Sequence, residues 1–181
     1  MKILFKPQTE WLPPEEFKDL SSYDEIAIDL ETKDPNLKTM GSGSVTGQAK
    51  IVGIALAVEG WSAYYPIAHE GGGNMDRKKV MDYFRTILNY PSKKIFHNAM
   101  YDVCFIRAEG LKINGTIIDT MISGSLVDEN RFRYDLGSLG RDYVGIGKNE
   151  AVLNETAKEW GVDPKSEMYK LPAMYVGEYA E

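Results

Sequence analysis

Cysteine is almost absent from this 181-residue chain, and long apolar runs are missing altogether. The one cysteine, Cys104, can form no internal disulfide and offers no cysteine cluster for zinc, which suits a reducing, cytoplasmic compartment. Residues 1–6 contain three consecutive apolar residues, whereas a signal peptide needs roughly 7 to 15. No later stretch reaches the roughly 18 apolar residues that a membrane-spanning helix requires. We therefore expect a soluble protein with no membrane partner.

Basic residues do not predominate either. The chain has 21 lysines and arginines against 27 aspartates and glutamates, which gives a formal net charge of −6. A protein that coats nucleic acid nonspecifically neutralises phosphates with lysine and arginine, so this balance argues against that class. It does not exclude a nuclease, because an enzyme that holds divalent cations clusters carboxylates, and the bound cations then reverse the local field.

The length suffices for one sizeable hydrophobic core, so we expect a single domain over residues 1–181. Alternation of apolar residues with period two predicts a strand at 25–31. Residues 50–59 and 61–67 flank Gly60 and are predicted to be antiparallel strands joined by a tight turn, and a short strand is predicted at 94–97. Helical spacing predicts helices at 11–23, 76–89, 98–109, 135–144, 150–160 and 173–181, and one that begins at Asp119. The polar segment 33–49 predicts a long loop.

This order of elements is typical of a ribonuclease H-like fold. Three strands form a meander, helices then alternate with a strand, and further helices follow. We therefore predict an α/β protein with a mixed sheet flanked by helices. Strand 25–31 would be central and paired with 50–59, because it is apolar on the face opposite its two acids.

Asp29 and Glu31 lie two residues apart in an otherwise apolar strand, so both point to the same face. Two carboxylates at that spacing can hold a hard divalent cation. Taken alone, the same pattern also describes the solvent face of an amphipathic strand. A second pair of polar residues is needed to choose between these interpretations.

Asn98 and Asp102 are four residues apart at the start of a predicted helix, which stacks them on one face. One interpretation is that Asn98 caps the helix, since asparagine is favoured at that position. The other is that Asp102 joins Asp29 and Glu31, because hard cations prefer several oxygen ligands from separated segments. We expect these three carboxylates to converge around a metal-sized gap.

These residues resemble the motifs of the proofreading 3′→5′ exonuclease domains of family A DNA polymerases. More broadly they resemble the Asp-Glu-Asp-Asp exonucleases, which include RNase D. Residues 28–32, Ile-Asp-Leu-Glu-Thr, resemble the first motif, and Asn98 to Asp102 resemble the second motif, Asn-x-x-x-Asp. The resemblance runs from about Glu25 to the C-terminus and implies the ribonuclease H-like fold already predicted.

The third family motif, Tyr-x-x-x-Asp, resembles the last residues of the chain. If Tyr179 is the motif tyrosine, the aspartate would fall two positions past Glu181, so we expect the chain to be cut before its last metal ligand. If Tyr175 is the motif residue, Tyr179 occupies the aspartate position, where it cannot serve as a carboxylate ligand. We therefore prefer Tyr179, although either tyrosine could instead pack the helix against the sheet.

The resemblance implies hydrolysis of the 3′-terminal phosphodiester of single-stranded or frayed DNA with two divalent cations, Mg²⁺ or Mn²⁺. In this interpretation Asp29, Glu31 and Asp102 are the metal ligands. Tyr179 orients the attacking water and completes the catalytic set.

The resemblance also implies substrate contacts near the terminal nucleotides. The candidate binding residues are Thr32, Leu37 and Asn98. Asp119 begins the next family helix and is interpreted as its N-cap. Four basic residues form either a solvated face or a track for single-stranded DNA; they are Arg131, Arg133, Arg141 and Lys148.

A polymerase domain would follow in the intact chain, and the exonuclease would be N-terminal, an arrangement that resembles phage-type polymerases and implies the host cytoplasm. We expect a monomer. Two alternatives stay open. One is a stand-alone exoribonuclease similar to RNase D, and the other is a catalytically silent module that binds single strands or braces a polymerase.

Overall fold

The computed structural model describes residues 9–181. It contains a five-stranded mixed sheet in the order β3-β2-β1-β4-β5. The strands of this sheet are β1 (Glu25–Lys33), β2 (Lys50–Val58), β3 (Trp61–Pro66), β4 (Lys93–Phe96) and β5 (Ile117–Asp119). β2 is antiparallel to β1 and β3, whereas β4 is parallel to both β1 and β5. The α/β class with a mixed sheet is therefore confirmed.

The helices lie on the faces and at one end of the sheet. They are α1 (Leu37–Met40), α2 (Arg77–Asn89), α3 (Ala99–Ala108), α4 (Thr120–Val127), α5 (Leu136–Leu139), α6 (Ala151–Trp160) and α7 (Gly177–Ala180). Shorter turns are a π-helical turn at Gly140–Val144 and 3-10 turns at Met168–Lys170 and Ala173–Tyr175. Within residues 9–181, no helix is both long and apolar enough to cross a bilayer.

β1 is the central strand and pairs with β2, as its pattern predicts. Its apolar residues Ile26, Ile28 and Leu30 are buried on one face, in a core shared with the buried sides of α2 and α3. This burial explains the strict alternation of β1, because successive side chains of a strand point to opposite faces. Asp29 and Glu31 consequently lie on the other face.

A second core covers part of that other face. Ala55 and Tyr64 of the sheet pack there with residues of α6 and of the segment that leads to α7. Trp11 joins this core, and its indole nitrogen donates a hydrogen bond to Glu181 at 2.8 Å. The C-terminal segment is thereby held against the sheet beside the two acids.

The helix predicted at 11–23 is wrong. This segment has no helical turn and runs as extended chain and turns. It is anchored by the buried side chains of Trp11 and Leu20, and Phe17 stacks on Tyr65 at 5.6 Å between ring centroids. These residues are spaced roughly as they would be along one face of a helix, which explains the wrong prediction. Residues 1–6, whose apolar run is too short for a signal peptide, lie outside the described residues.

Two predicted helices are less regular than expected. Asp135 caps α5 by accepting from the Ser138 amide, but the helix widens into the π-helical turn. This turn ends at Gly145, whose backbone is left-handed with a φ of 76°. The predicted helix 173–181 is split into a 3-10 turn and the single turn of α7. The loop predicted at 33–49 contains the one-turn helix α1.

Candidate active site

The site forms at the carboxyl ends of the parallel strands. β1, β4 and β5 run in the same direction, so the ends of these strands meet at one edge of the sheet. α3 begins just after β4, and α4 begins just after β5. Ligand sites of open α/β sheets commonly lie at such an edge.

The neighbours of Asp29 and Glu31 in β2 are small. Asp29 pairs with Ala55 and Glu31 pairs with Gly53. The Tyr64 side chain lies across Gly53, because a Cβ built on that glycine would come within 2.0 Å of the phenol oxygen. Glu31 is therefore 8% exposed beside an aromatic ring, while Asp29 remains accessible to solvent.

Tyr64 is held by a buried hydrogen-bond chain. His69 Nδ1 lies 3.1 Å from the Leu171 carbonyl oxygen, which can only accept, so this nitrogen is the donor. His69 Nε2 is then an acceptor, and it receives the Tyr64 hydroxyl proton at 2.7 Å. Burial lowers the pKa of His69 to about 4, which keeps the ring neutral. The chain links the sheet to the segment that precedes α7.

Asp102 reaches the same place from α3. β1 extends beyond its pairing with β4, and Asp102 Oδ1 accepts a hydrogen bond from the Leu30 amide at 3.1 Å. Leu30 lies between Asp29 and Glu31 in the sequence. One bond therefore fixes Asp102, which is 3% exposed, alongside the two strand acids.

Asn98 occupies the N-cap position of α3 but does not cap it through its side chain. Its backbone is left-handed, with φ of 65°, and no side-chain capping bond forms. Asp119 takes that role from the end of β5. Its carboxylate accepts from the amides of Asn98 and Ala99 at 3.0 and 2.8 Å and also from Met121 at 2.9 Å. The predicted N-cap at Asp119 is confirmed, and it serves two helices.

Tyr179 lies on α7 and lines the same cleft as the acids, whereas Tyr175 is buried away from it. Lys148 Nζ donates to the Tyr179 phenol oxygen at 3.3 Å. Burial, together with the charges of Glu31 and Asp29, raises the pKa of Tyr179, so the hydroxyl stays protonated. The geometry favours Tyr179 as the residue that faces the carboxylates.

The cleft has a volume of about 1130 Å³. Every site residue proposed from the sequence lines it: Asp29, Glu31, Asp102, Tyr179, Thr32, Leu37 and Asn98. Thr32 shares a hydrogen bond with the Tyr101 hydroxyl at 2.7 Å, and Leu37 is 41% exposed at the cleft wall.

The four basic residues identified in the sequence do not all line the cleft. Arg133, Arg141 and Lys148 line the cleft, and Lys165 joins them from a distant part of the sequence. Arg131 does not line it, since it forms an ion pair with Asp142 and lies over the Tyr143 ring. The cleft thus combines acidic residues on its floor with basic residues around them.

The three acids are held in a poorly hydrated environment. Burial, and then the charge of Asp29, raise the pKa of both Glu31 and Asp102 to about 8. Burial also raises the pKa of Asp29, although its outer side is open, because protein surrounds its other sides. Lys148 acts in the opposite direction on Asp29 and Glu31. The effect of burial prevails, so the pKa of all three acids is raised.

The side chains of these acids are of the type that binds divalent cations, but they are not yet arranged as a metal site. Carboxylate oxygens from two chain segments are the ligands that hard cations prefer. Among residues 9–181, however, no group of three or more His, Cys, Asp or Glu side chains is already arranged to hold a metal ion. Asp102 is engaged by the Leu30 amide, and mutual repulsion of the acids disfavours closer approach.

Tyr101 and His97 are among the cleft residues that were not singled out from the sequence. Tyr101 precedes Asp102 on α3, and His97 precedes Asn98 at the end of β4. Thr120 donates its hydroxyl proton to the Phe96 carbonyl oxygen, so His97 Nδ1 donates to Thr120 at 2.9 Å. His97 Nε2 is left as an acceptor. Their position next to motif residues was the available signal.

The fold is similar to that of solved structures that include an exoribonuclease. Brucella melitensis NrnC with bound Mg²⁺ superposes with a TM-score of 0.53 at 15% identity, covering 84% of this chain and 83% of that chain. Escherichia coli RNase D, an exoribonuclease, gives a TM-score of 0.51 at 15% identity over 82% and 37%. At these identities the likeness establishes the fold.

The family is established by the sequence. The profile of the 3′-5′ exonuclease domain of family A DNA polymerases matches residues 6–181, so the chain belongs to this family. A DNA-directed DNA polymerase of Pseudomonas phage M6 is 34% identical over 96% of this chain and 27% of the relative. DNA polymerase I of Synechocystis is 29% identical over 64% and 14%. The chain thus spans about a quarter or less of the length of these relatives.

Proposed function

We propose that this domain removes nucleotides from the 3′ end of single-stranded or frayed DNA and proofreads for a DNA polymerase. The observation that carries the proposal is the shared cleft of Asp29, Glu31, Asp102 and Tyr179. The polymerase relatives favour DNA over RNA as the substrate and a polymerase domain as the partner in the intact protein.

Asp29, Glu31 and Asp102 would hold two divalent cations, Mg²⁺ or Mn²⁺. When bound, such cations lower the pKa of an attacking water and stabilise the leaving 3′ oxygen. Asp29, the most accessible of the three acids, would contact both cations. Tyr179 would orient the attacking water through its protonated hydroxyl, and the buried Glu31 would fix the terminal nucleotide.

The remaining cleft residues would bind the strand. Thr32 faces the cleft from the end of β1 and Leu37 from α1, where they would contact the terminal sugar and bases. The Asn98 side chain is free of capping and can donate and accept hydrogen bonds. A strand must leave its duplex to enter, at a cost of a few kcal/mol, so mismatched ends would be preferred.

The test is digestion of a 5′-labelled oligonucleotide by the intact protein, resolved on a gel. Wild type should shorten single-stranded DNA in Mg²⁺ faster than paired DNA and faster than RNA. Asp29→Ala should slow digestion by at least about 100-fold, because it removes a cation ligand. Glu25→Ala is the matched control, since Glu25 is an exposed acid of the same strand that pairs with Lys93.

Digestion that persists in excess EDTA, or equal rates for wild type and Asp29→Ala, would show that the carboxylates are not the catalyst. Faster digestion of RNA would favour an exoribonuclease similar to RNase D. DNA binding without digestion would favour a silent module.

A further inference from the structure

Lys148 is the basic residue of the cleft that lies against Tyr179. Its Nζ is 3.3 Å from the phenol oxygen and 5.1 Å from the centre of the ring. It is supplied by the segment between the π-helical turn and α6, which is far from α7 in sequence. The ammonium group thus contacts both the polar atom and the ring of the same tyrosine.

The direction of this hydrogen bond restricts the tyrosine. An ammonium group has three donors and no acceptor, so the Tyr179 oxygen must accept from Lys148. The single hydroxyl proton therefore points away from Lys148. Glu31 and Asp29 line the same cleft as this hydroxyl, and their charges act on it. The proton is available to an acceptor at the carboxylates, such as a water molecule.

Other cations of the cleft are placed differently. Arg141 donates to the Ser138 hydroxyl at 3.3 Å, and its guanidinium is thereby held at α5. The charge of Lys148 opposes the increase in pKa that burial causes at both Asp29 and Glu31, whereas His97 has this effect at Asp29 alone. Lys148 therefore lies beside the groups proposed to react, and we do not assign it to the track that binds phosphates.

We propose that Lys148 is a positioning residue of the exonuclease reaction, which holds the Tyr179 hydroxyl as a hydrogen-bond donor toward the attacking water. This inference rests on the proposed function and deepens it. Lys148 works through Tyr179, so its loss should slow the catalytic step and leave DNA affinity almost unchanged.

A double-mutant cycle on the intact protein tests this role, with rates measured at saturating single-stranded DNA in Mg²⁺. Lys148→Met and Tyr179→Phe should each lower kcat about tenfold with little change in KM, because the first removes the bond that orients the hydroxyl and the second removes the hydroxyl itself. The double variant should be no slower than Tyr179→Phe, since the two residues act as one unit. Lys158→Met, at an exposed lysine of α6, is the matched control and should be unaffected.

A separate measurement follows the contact without using activity. In protein labelled with 3-fluorotyrosine, the ¹⁹F resonance lost in Tyr179→Phe identifies Tyr179. Lys148→Met should shift this resonance, and Lys158→Met should not. An unshifted resonance, or a double variant slower than Tyr179→Phe by the full factor of Lys148→Met, would overturn the proposal. Equal digestion by wild type and Asp29→Ala would instead refute the proposed function itself, whatever the ¹⁹F result.

Discussion

Glu31 is deeply buried beside other carboxylates. Its environment therefore determines how the free energy of unfolding changes with pH. In the metal-free protein its pKa is raised from the ordinary value of 4.5 to about 8. Between these two values the folded state keeps a proton that the unfolded state has released. The free energy of unfolding therefore decreases as the pH rises through this window and levels off above it.

We predict that Glu31→Gln removes much of this decrease. The melting temperature of wild type and variant should be measured in EDTA from pH 5 to pH 9. The advantage of Glu31→Gln should grow with pH, and each 1 kcal/mol gained corresponds to roughly 2–4 °C. Glu25→Gln, an exposed acid of the same strand, is the control. A melting difference that stays constant with pH would contradict the assignment.

Asp119 connects three secondary-structure elements. It ends β5, begins α4, and binds the first amides of α3, which carries Asp102 one turn later. Burial acts to raise its pKa, but the hydrogen bonds from Ala99, Asn98 and Met121 prevail and lower it. The carboxylate is therefore ionised and holds the two helix starts together at the edge of the sheet.

We predict that Asp119→Ala lowers both stability and activity. The loss of a capping carboxylate should cost about 1–2 kcal/mol of unfolding free energy, measured by urea denaturation. Asp76→Ala is the matched control, because Asp76 caps α2 by accepting from the Lys79 amide at 2.8 Å and lies outside the cleft. Its stability should fall similarly while digestion of single-stranded DNA stays at the wild-type rate. Similar rates for both variants would show that Asp119 does not position the site.

The elements predicted correctly are those whose pattern has a local cause. The alternation in β1 follows from burial of one face, and the start of α2 follows from the Asp76 cap. The helix at 11–23 failed because contacts with Tyr65 and Tyr83 determine that segment, and the sequence does not show them. The bond between Asp119 and the start of α3 spans 20 residues and is likewise invisible in any local pattern.

For the whole molecule, the placement of charge explains how an acidic protein could bind a polyanion. The net charge is −6, yet Arg133, Arg141, Lys148 and Lys165 are gathered at the cleft. The sequence grouped Arg131 with this cluster and could not include Lys165, because only the fold brings the latter to the cleft. Because Lys148 is engaged with Tyr179, the charges of Arg133, Arg141 and Lys165, and not the total charge, should control DNA binding.

We predict that Arg133→Gln weakens binding of single-stranded DNA and reduces its salt dependence. Each phosphate contact that is lost should lower the slope of log Kd against log salt by about 0.7. Binding can be followed by fluorescence anisotropy of a labelled oligonucleotide between about 50 and 200 mM salt, in the Asp29→Ala background so that the strand is not digested. Arg131→Gln is the matched control, because Arg131 is paired with Asp142 away from the cleft. If Arg131→Gln changes the slope as much as Arg133→Gln does, the DNA track does not follow the cleft.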